Sequence, residues 1–196
     1  MRLILGSQSP RRKEILSFFS IPFLQIPSGF EEEQVVFEGD PAKYAEELSL
    51  KKAEQLQARF PQDLILTADT VVFFEGEIFN KPTDETAAFR MLQRLSGQRH
   101  QVITAITVSS PHSSLTRSEI TEIVFNSLSD EQILLYHHHC PCLDKAGAYT
   151  IQGQGGLLVN QISGCYYNVM GLPVNLLREV LASFGIDLWR HLNFGS

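Results

Sequence analysis

The stretch that most constrains the fold is residues 3–16, where the apolar run Leu3-Ile4-Leu5 meets the turn Gly6-Ser7-Gln8-Ser9 and then Pro10-Arg11-Arg12-Lys13-Glu14-Ile15-Leu16. The run has strand length, and Ile15, Leu16, Phe18 and Phe19 recur at helical spacing, so the reading is strand, turn, helix. Pro10 suits the first helical position because its missing N–H has no intrahelical partner there, which leaves Ser9 as N-cap. Arg11 and Arg12 then stand in the first turn, where the helix dipole is already positive and like charge costs about 0.3–1 kcal/mol. Backbone N–H groups, the Ser7 and Ser9 hydroxyls and two guanidinium forks together suit an external phosphate. The same arginines also read as a solvated basic face, and this stretch alone leaves both readings open. No Walker or dinucleotide-type glycine motif occurs, so phosphate binding would rest on this turn.

A chain of 196 residues, 43% hydrophobic and 19% charged, has length for one core, undivided or split into two lobes, and one domain over residues 1–196 is the expectation. Its formal charge of −6 argues against a general nucleic-acid or anionic-membrane binder, whose affinity comes from surplus Lys and Arg. Cys140, Cys142 and Cys165 are too few for a disulfide scaffold, and neither a signal-peptide pattern nor an apolar stretch of the roughly 18–20 residues that span a bilayer is visible. A soluble protein of the reducing cytoplasm is expected.

Residues 23–26 alternate as a strand ahead of Glu31-Glu32-Glu33, which read most simply as a solvated loop. Asp40-Pro41 announces a helix of about five turns that carries Lys51 and Lys52. Residues 64–68 form a buried-strand run that delivers Asp69 and Thr70 at its end, the usual place for ligands in open α/β sheets. Val71 to Phe74, the turn Glu75-Gly76 and Ile78-Phe79 make a hairpin expected to bring Lys81 back beside Asp69. Thr83 is expected to cap a helix, residues 101–108 and 115–125 to form long strands, and Ser129-Asp130-Glu131-Gln132 to open another helix with a capping box. Residues 157–162 and 166–170 read as paired strands across Ser163-Gly164, followed by a closing helix through Phe184. His137-His138-His139 with Cys140 and Cys142 is set aside as a metal site, because consecutive histidines point around a helix and lack a second half at zinc-finger spacing.

The run Ser7-Gln8-Ser9-Pro10-Arg11-Arg12-Lys13-Glu14-Ile15-Leu16 resembles the opening signature of the Maf family of nucleoside triphosphate pyrophosphatases, also called septum-formation inhibitor proteins. Ala68-Asp69-Thr70-Val71-Val72, Lys81-Pro82, Leu95-Ser96-Gly97, Asp144-Lys145-Ala146-Gly147-Ala148-Tyr149, Ile151-Gln152-Gly153 and Gly171-Leu172-Pro173 resemble its later blocks, in the family's order. Pro141-Cys142 departs from it, where relatives place an acidic residue and proline, and Asn80 is a smaller departure.

The resemblance implies an α/β fold, an elongated mixed β-sheet with flanking helices and two lobes around a deep cleft, similar to inosine triphosphate pyrophosphatases. It implies hydrolysis between the α- and β-phosphates, releasing a nucleoside monophosphate and pyrophosphate. Ser7, Ser9, Arg11, Arg12, Lys52, Lys81 and Lys145 would bind phosphates, five cations among them against a triphosphate of about four negative charges near neutral pH. Asp69 would act as proton acceptor, with a divalent cation, Mg²⁺ or Mn²⁺, shared by Glu32 and Asp69. A branch acting on a methylated guanine nucleotide places an aromatic residue, a Gln and a Glu at three specificity positions; Arg11, Thr70 and Gln152 stand there instead. A neutral pyrimidine edge suits the mixed donor and acceptor of the Gln152 amide, so the pattern is similar to the branch acting on dTTP and UTP. A homodimer is implied too. Two alternatives stay open, a pyrophosphatase for non-standard purine nucleotides and a nucleotide-binding regulator of septum formation with little turnover.

Overall fold

The computed structural model describes residues 1–140 and 142–193. Pro141, one of the two departures from the family pattern, and the last residues of the tail lie outside them. A mixed sheet runs in the order β2 (Phe23–Gln25), β1 (Leu3–Leu5), β3 (Leu64–Phe74), β5 (Arg99–Ser109), β6 (Ser114–Phe125), β7 (Val159–Ser163), with β4 (Glu77–Phe79) also on β3. β1 lies parallel to β2 and β3, and the remaining pairs are antiparallel.

Alternation along the strands divides the core between two faces. Ile4, Ile65, Val71, Ile103 and Ala105 meet Ala45, Leu48, Ala53 and Leu56 of α2 (Pro41–Arg59), capped by Asp40. Leu5, Leu66, Val72 and Val102 face the other way, toward Ile15 and Leu16 of α1 (Pro10–Leu16) and the apolar stripes of α3 (Glu85–Leu95) and α6 (Val174–Ala182). The caps at Ser9 and Asp40 and the capping box at Ser129 of α4 (Asp130–His139) form as the sequence implies.

Three local expectations change. Asp84, not Thr83, caps α3, its carboxylate accepting from Ala87 N at 2.7 Å. Residues 166–170 do not pair as a strand: β7 pairs with β6, and Tyr166–Val169 coil into a short helix, α5. The cause is tertiary, because the buried Asn168 amide donates to Val102 O and Thr121 Oγ1, both at 2.9 Å, and Thr121 Oγ1 also accepts from Cys165 N. Asp69 and Thr70 are not at a strand end; β3 runs unbroken through both, held by its register with β5.

Candidate active site

What makes the middle of β3 available is a gap in the sheet. On one edge β1 pairs with β3 as far as Leu66 and β4 resumes at Val72, and among the described residues no strand pairs with residues 67–71 on that edge. A strand that would be closed on both sides thus opens where Asp69 and Thr70 lie. Consecutive strand residues point to opposite faces, so Asp69 turns toward α2 and Thr70 toward α1 and α5.

On the α2 side, the Lys52 ammonium bonds both the Asp69 carboxylate and Glu32 Oε1, the latter at 2.7 Å. Lys52 and Asp69 are buried, whereas Lys51 is turned outward to Glu54, so the helix itself separates the two lysines. Among the three glutamates, Glu32 enters the site, and Glu31 bonds Gln34 instead. Lys81 Nζ lies 3.9 Å from Glu32 Oε2. The ammonium that meets Asp69 therefore comes from Lys52, and Lys81 joins through Glu32 at a more exposed rim.

Burial raises the Asp69 carboxyl above its ordinary range; the Lys52 charge opposes that shift, the negative Glu32 adds to it, and Arg12 opposes it. Glu32 moves the other way. Burial works against its charge, but the Lys52 ammonium, reinforced by Lys81 and Arg12, outweighs that and lowers its pKa. One carboxylate is thus poised to take a proton while its neighbour stays ionised.

On the other face, Arg12 bridges the gap. Its Nε donates to Gly171 O at 2.8 Å, Nη1 to Ala68 O at 2.8 Å and Ser7 Oγ at 3.3 Å, and Nη2 to Thr70 Oγ1 at 3.0 Å. These bonds occupy four of the five guanidinium N–H groups and leave one for a ligand. Arg12 therefore holds α1, β3 and the turn at Gly171 together, and contributes to the site chiefly as a fixed positive charge. Burial lowers its pKa, against the pull of Asp69. Ser7 also accepts from Ser9 N at 3.1 Å, Ser9 caps α1, and Gln25 Nε2 donates to Ser7 O at 2.9 Å, so the serine turn is held from β2.

The far wall is the loop that carries Lys145 and Gln152. Thr150 Oγ1 accepts from Arg11 Nη1 at 3.4 Å and from Gln152 N at 3.3 Å, so Arg11 and Gln152 converge on one residue. Tyr136 fixes Thr150, its hydroxyl accepting from Thr150 N at 3.0 Å and donating to Thr150 O at 3.4 Å. Lys145 Nζ bonds Asp144 at 2.6 Å. Sequence reasoning missed Thr150, Tyr136, Thr104 and Asn168. Thr104 alone left a trace, as a hydroxyl inside the apolar run Val102-Ile103-Thr104-Ala105-Ile106.

The Maf-like protein family profile matches residues 2–184. The chain belongs to the Maf family. A Maf relative from Chlamydia caviae named dTTP/UTP pyrophosphatase is 45% identical over 192 residues, 97% of this chain and 98% of that protein. Another of that name, from Chlamydia trachomatis serovar D, is 42% identical over 97% of this chain and 98% of its own length. A nucleoside triphosphate pyrophosphatase of Chlamydia muridarum is 41% identical over the same shares, 97% and 98%. Among solved structures, the Staphylococcus aureus Ham1 protein has a like fold, with a TM-score of 0.53 at 16% identity over 94% of this chain and 100% of that one.

In this Maf chain the carboxylates that could share a divalent ion are few. The described residues hold no group of three or more His, Cys, Asp or Glu side chains that could cage a metal. Asp69 and Glu32 instead offer hard carboxylate oxygens around one ammonium. That set fits Mg²⁺ or Mn²⁺, because Mg²⁺ is commonly bound by one or two carboxylates plus substrate phosphates rather than by an all-protein cage.

Proposed function

We propose that this chain hydrolyses dTTP and UTP to the nucleoside monophosphate and pyrophosphate, with Asp69 as general base. The observation that carries the reading is the buried Asp69 carboxylate in the sheet gap, its pKa raised by burial, with the Lys52 ammonium on one face and Arg12 on the other. The names of relatives at 41–45% identity point to the same reaction.

Asp69 takes a proton from the attacking water as the new O–P bond forms at the α-phosphorus, and the bond to the bridging oxygen breaks with pyrophosphate as leaving group. Phosphoryl transfer asks the protein mainly for positioning and charge stabilisation. Arg11, Arg12, Lys52, Lys81 and Lys145 supply that charge, Ser7 and Ser9 line the turn beneath it, and Arg11, Thr70 and Gln152 read the base. Glu32 and Asp69 would hold the divalent ion, whose contribution when bound is to lower the pKa of water and neutralise phosphate charge. The nucleotide is the partner, the cytoplasm its compartment, and the working form a homodimer.

Incubating the protein and Mg²⁺ with dTTP, UTP, CTP and 7-methyl-GTP, with products identified, tests the proposal. Monophosphate and pyrophosphate should form fastest from dTTP and UTP. Binding without pyrophosphate release, or a preference for the methylated purine, overturns it.

A further inference from the structure

Thr70 faces α1 and α5 across the gap and is half-buried, and its hydroxyl has a direction fixed from behind. Its cross-strand partner in the β3–β5 register is Thr104, and their hydroxyl oxygens are 2.9 Å apart. Thr104 Oγ1 also lies 2.7 Å from Asn168 O. A carbonyl only accepts, so the single hydroxyl hydrogen of Thr104 is committed to Asn168. The bond between the threonines must then run from Thr70 to Thr104. The other neighbour of Thr70 is Arg12 Nη2 at 3.0 Å, which only donates. Thr104, Asn168 and Thr121 are each 0% exposed, so no solvent stands ready to reverse this order. The Asn168 carbonyl is itself held in place, because its side chain is anchored to Val102 O and Thr121 Oγ1.

Resting on the pyrophosphatase reading, we propose that Thr104 is a specificity-determining positioning residue: by taking the Thr70 hydrogen it leaves Thr70 as an acceptor alone, which selects a base presenting a ring N–H. An acceptor-only oxygen has no bond to offer an ionised phosphate oxygen, so Thr70 serves the base side of the site and not the phosphate side. Uracil and thymine both carry N3–H, and cytosine has a bare lone pair at N3. A lone pair set against a lone pair is left unpaired, and rejection follows from that mismatch.

The test compares the wild-type chain with Thr104→Val, Thr104→Ser and Thr70→Val, reading kcat and KM for UTP and CTP and, apart from turnover, the binding of UMP and CMP by calorimetry. In Thr104→Val the Thr70 hydrogen is released and can turn to cytosine N3. The UTP to CTP ratio of kcat/KM is expected to fall about tenfold, the worth of one hydrogen bond, mostly through KM. Thr104→Ser restores the ratio to within about twofold, since the hydroxyl is kept. Thr70→Val removes the acceptor while leaving the bond between Thr104 and Asn168, and keeps the inference testable should Thr104→Val unfold; it too should lose the preference. A uniform loss on both nucleotides with an unchanged ratio, in either valine variant, overturns the inference. Failure of the wild type to release pyrophosphate from UTP overturns the reaction instead, and the UMP to CMP binding ratio still decides the role of Thr104.

Discussion

Acid should loosen this protein through His100. The residue lies on β5 with 2% of its surface exposed, its Nε2 2.8 Å from the Tyr149 hydroxyl and its ring edge-on to Phe125 and Tyr149 at centroid distances of 4.8 and 5.5 Å. Protonation would put a hydrogen on both ring nitrogens, and Nδ1 has no hydrogen-bond partner among the described residues. Burial accordingly lowers the His100 pKa from 6.5 to about 4. The sign follows from linkage: the unfolded chain takes up a proton near pH 6.5 and the folded chain only near pH 4, so this contribution is complete above the unfolded value and is lost as pH falls through that window. Between pH 7 and pH 5 the loss is about 2 kcal/mol, or about 4–8 °C in Tm for a chain of this size. Thermal unfolding from pH 7 to pH 5 should show that drop in the wild type beyond any in His100→Gln, which keeps a polar partner for Tyr149 and does not titrate in this range. Because Tyr149 adjoins Thr150, which holds Arg11 and Gln152, KM for UTP should hold steady from pH 7 to pH 5, where the folded imidazole stays neutral, and rise only as pH approaches 4. Parallel Tm profiles for the two proteins would refute the reasoning.

Asp69→Asn should lower kcat by roughly 10²–10⁴, the usual contribution of a general base, and near-normal turnover in a pyrophosphate-release assay would remove Asp69 from that role. Lys52→Met strips the counter-ion from two carboxylates; breaking such a buried pair costs about 3–5 kcal/mol, so urea unfolding should show a large loss, and the acid limb of activity should move to higher pH as Asp69 protonates more readily. Gly155→Ala would drive a Cβ into the Thr150 carbonyl, and the displaced loop should raise KM more than it lowers Tm; unchanged kinetics would show that this close approach is unimportant. Chelation of divalent cations should abolish hydrolysis and added Mg²⁺ restore it, whereas full activity in chelator would exclude the proposed role of a divalent ion at Glu32 and Asp69.

How much was legible in the chain differs between the two faces of the site. The serine turn, the Ser9 cap, Pro10 and the two arginines are contiguous, and their chemistry can be read in order. The separate duties of those arginines could not, because Arg12 receives its partners from Ala68, Thr70 and Gly171, far along the sequence. Glu31, Glu32 and Glu33 are chemically alike in sequence, and only the approach of Lys52 distinguishes Glu32. The expected meeting of Lys81 with Asp69 came from sound hairpin geometry but overlooked α2, which delivers a nearer ammonium.

By itself the sequence determined whatever depends on short range: the strand and helix periods, the caps at Ser9, Asp40 and Ser129, the hairpin turn after Phe74, and the ordered blocks that mark a Maf protein. Tertiary structure alone decided that Asp69 lies in a gap between β1 and β4, that α5 is a helix, and that the Thr70 hydrogen points toward Thr104. The physical reason is distance along the chain. Periodicity and capping involve neighbours within about four residues, whereas burial, charge and hydrogen-bond direction at a group are set by side chains that only folding brings beside it.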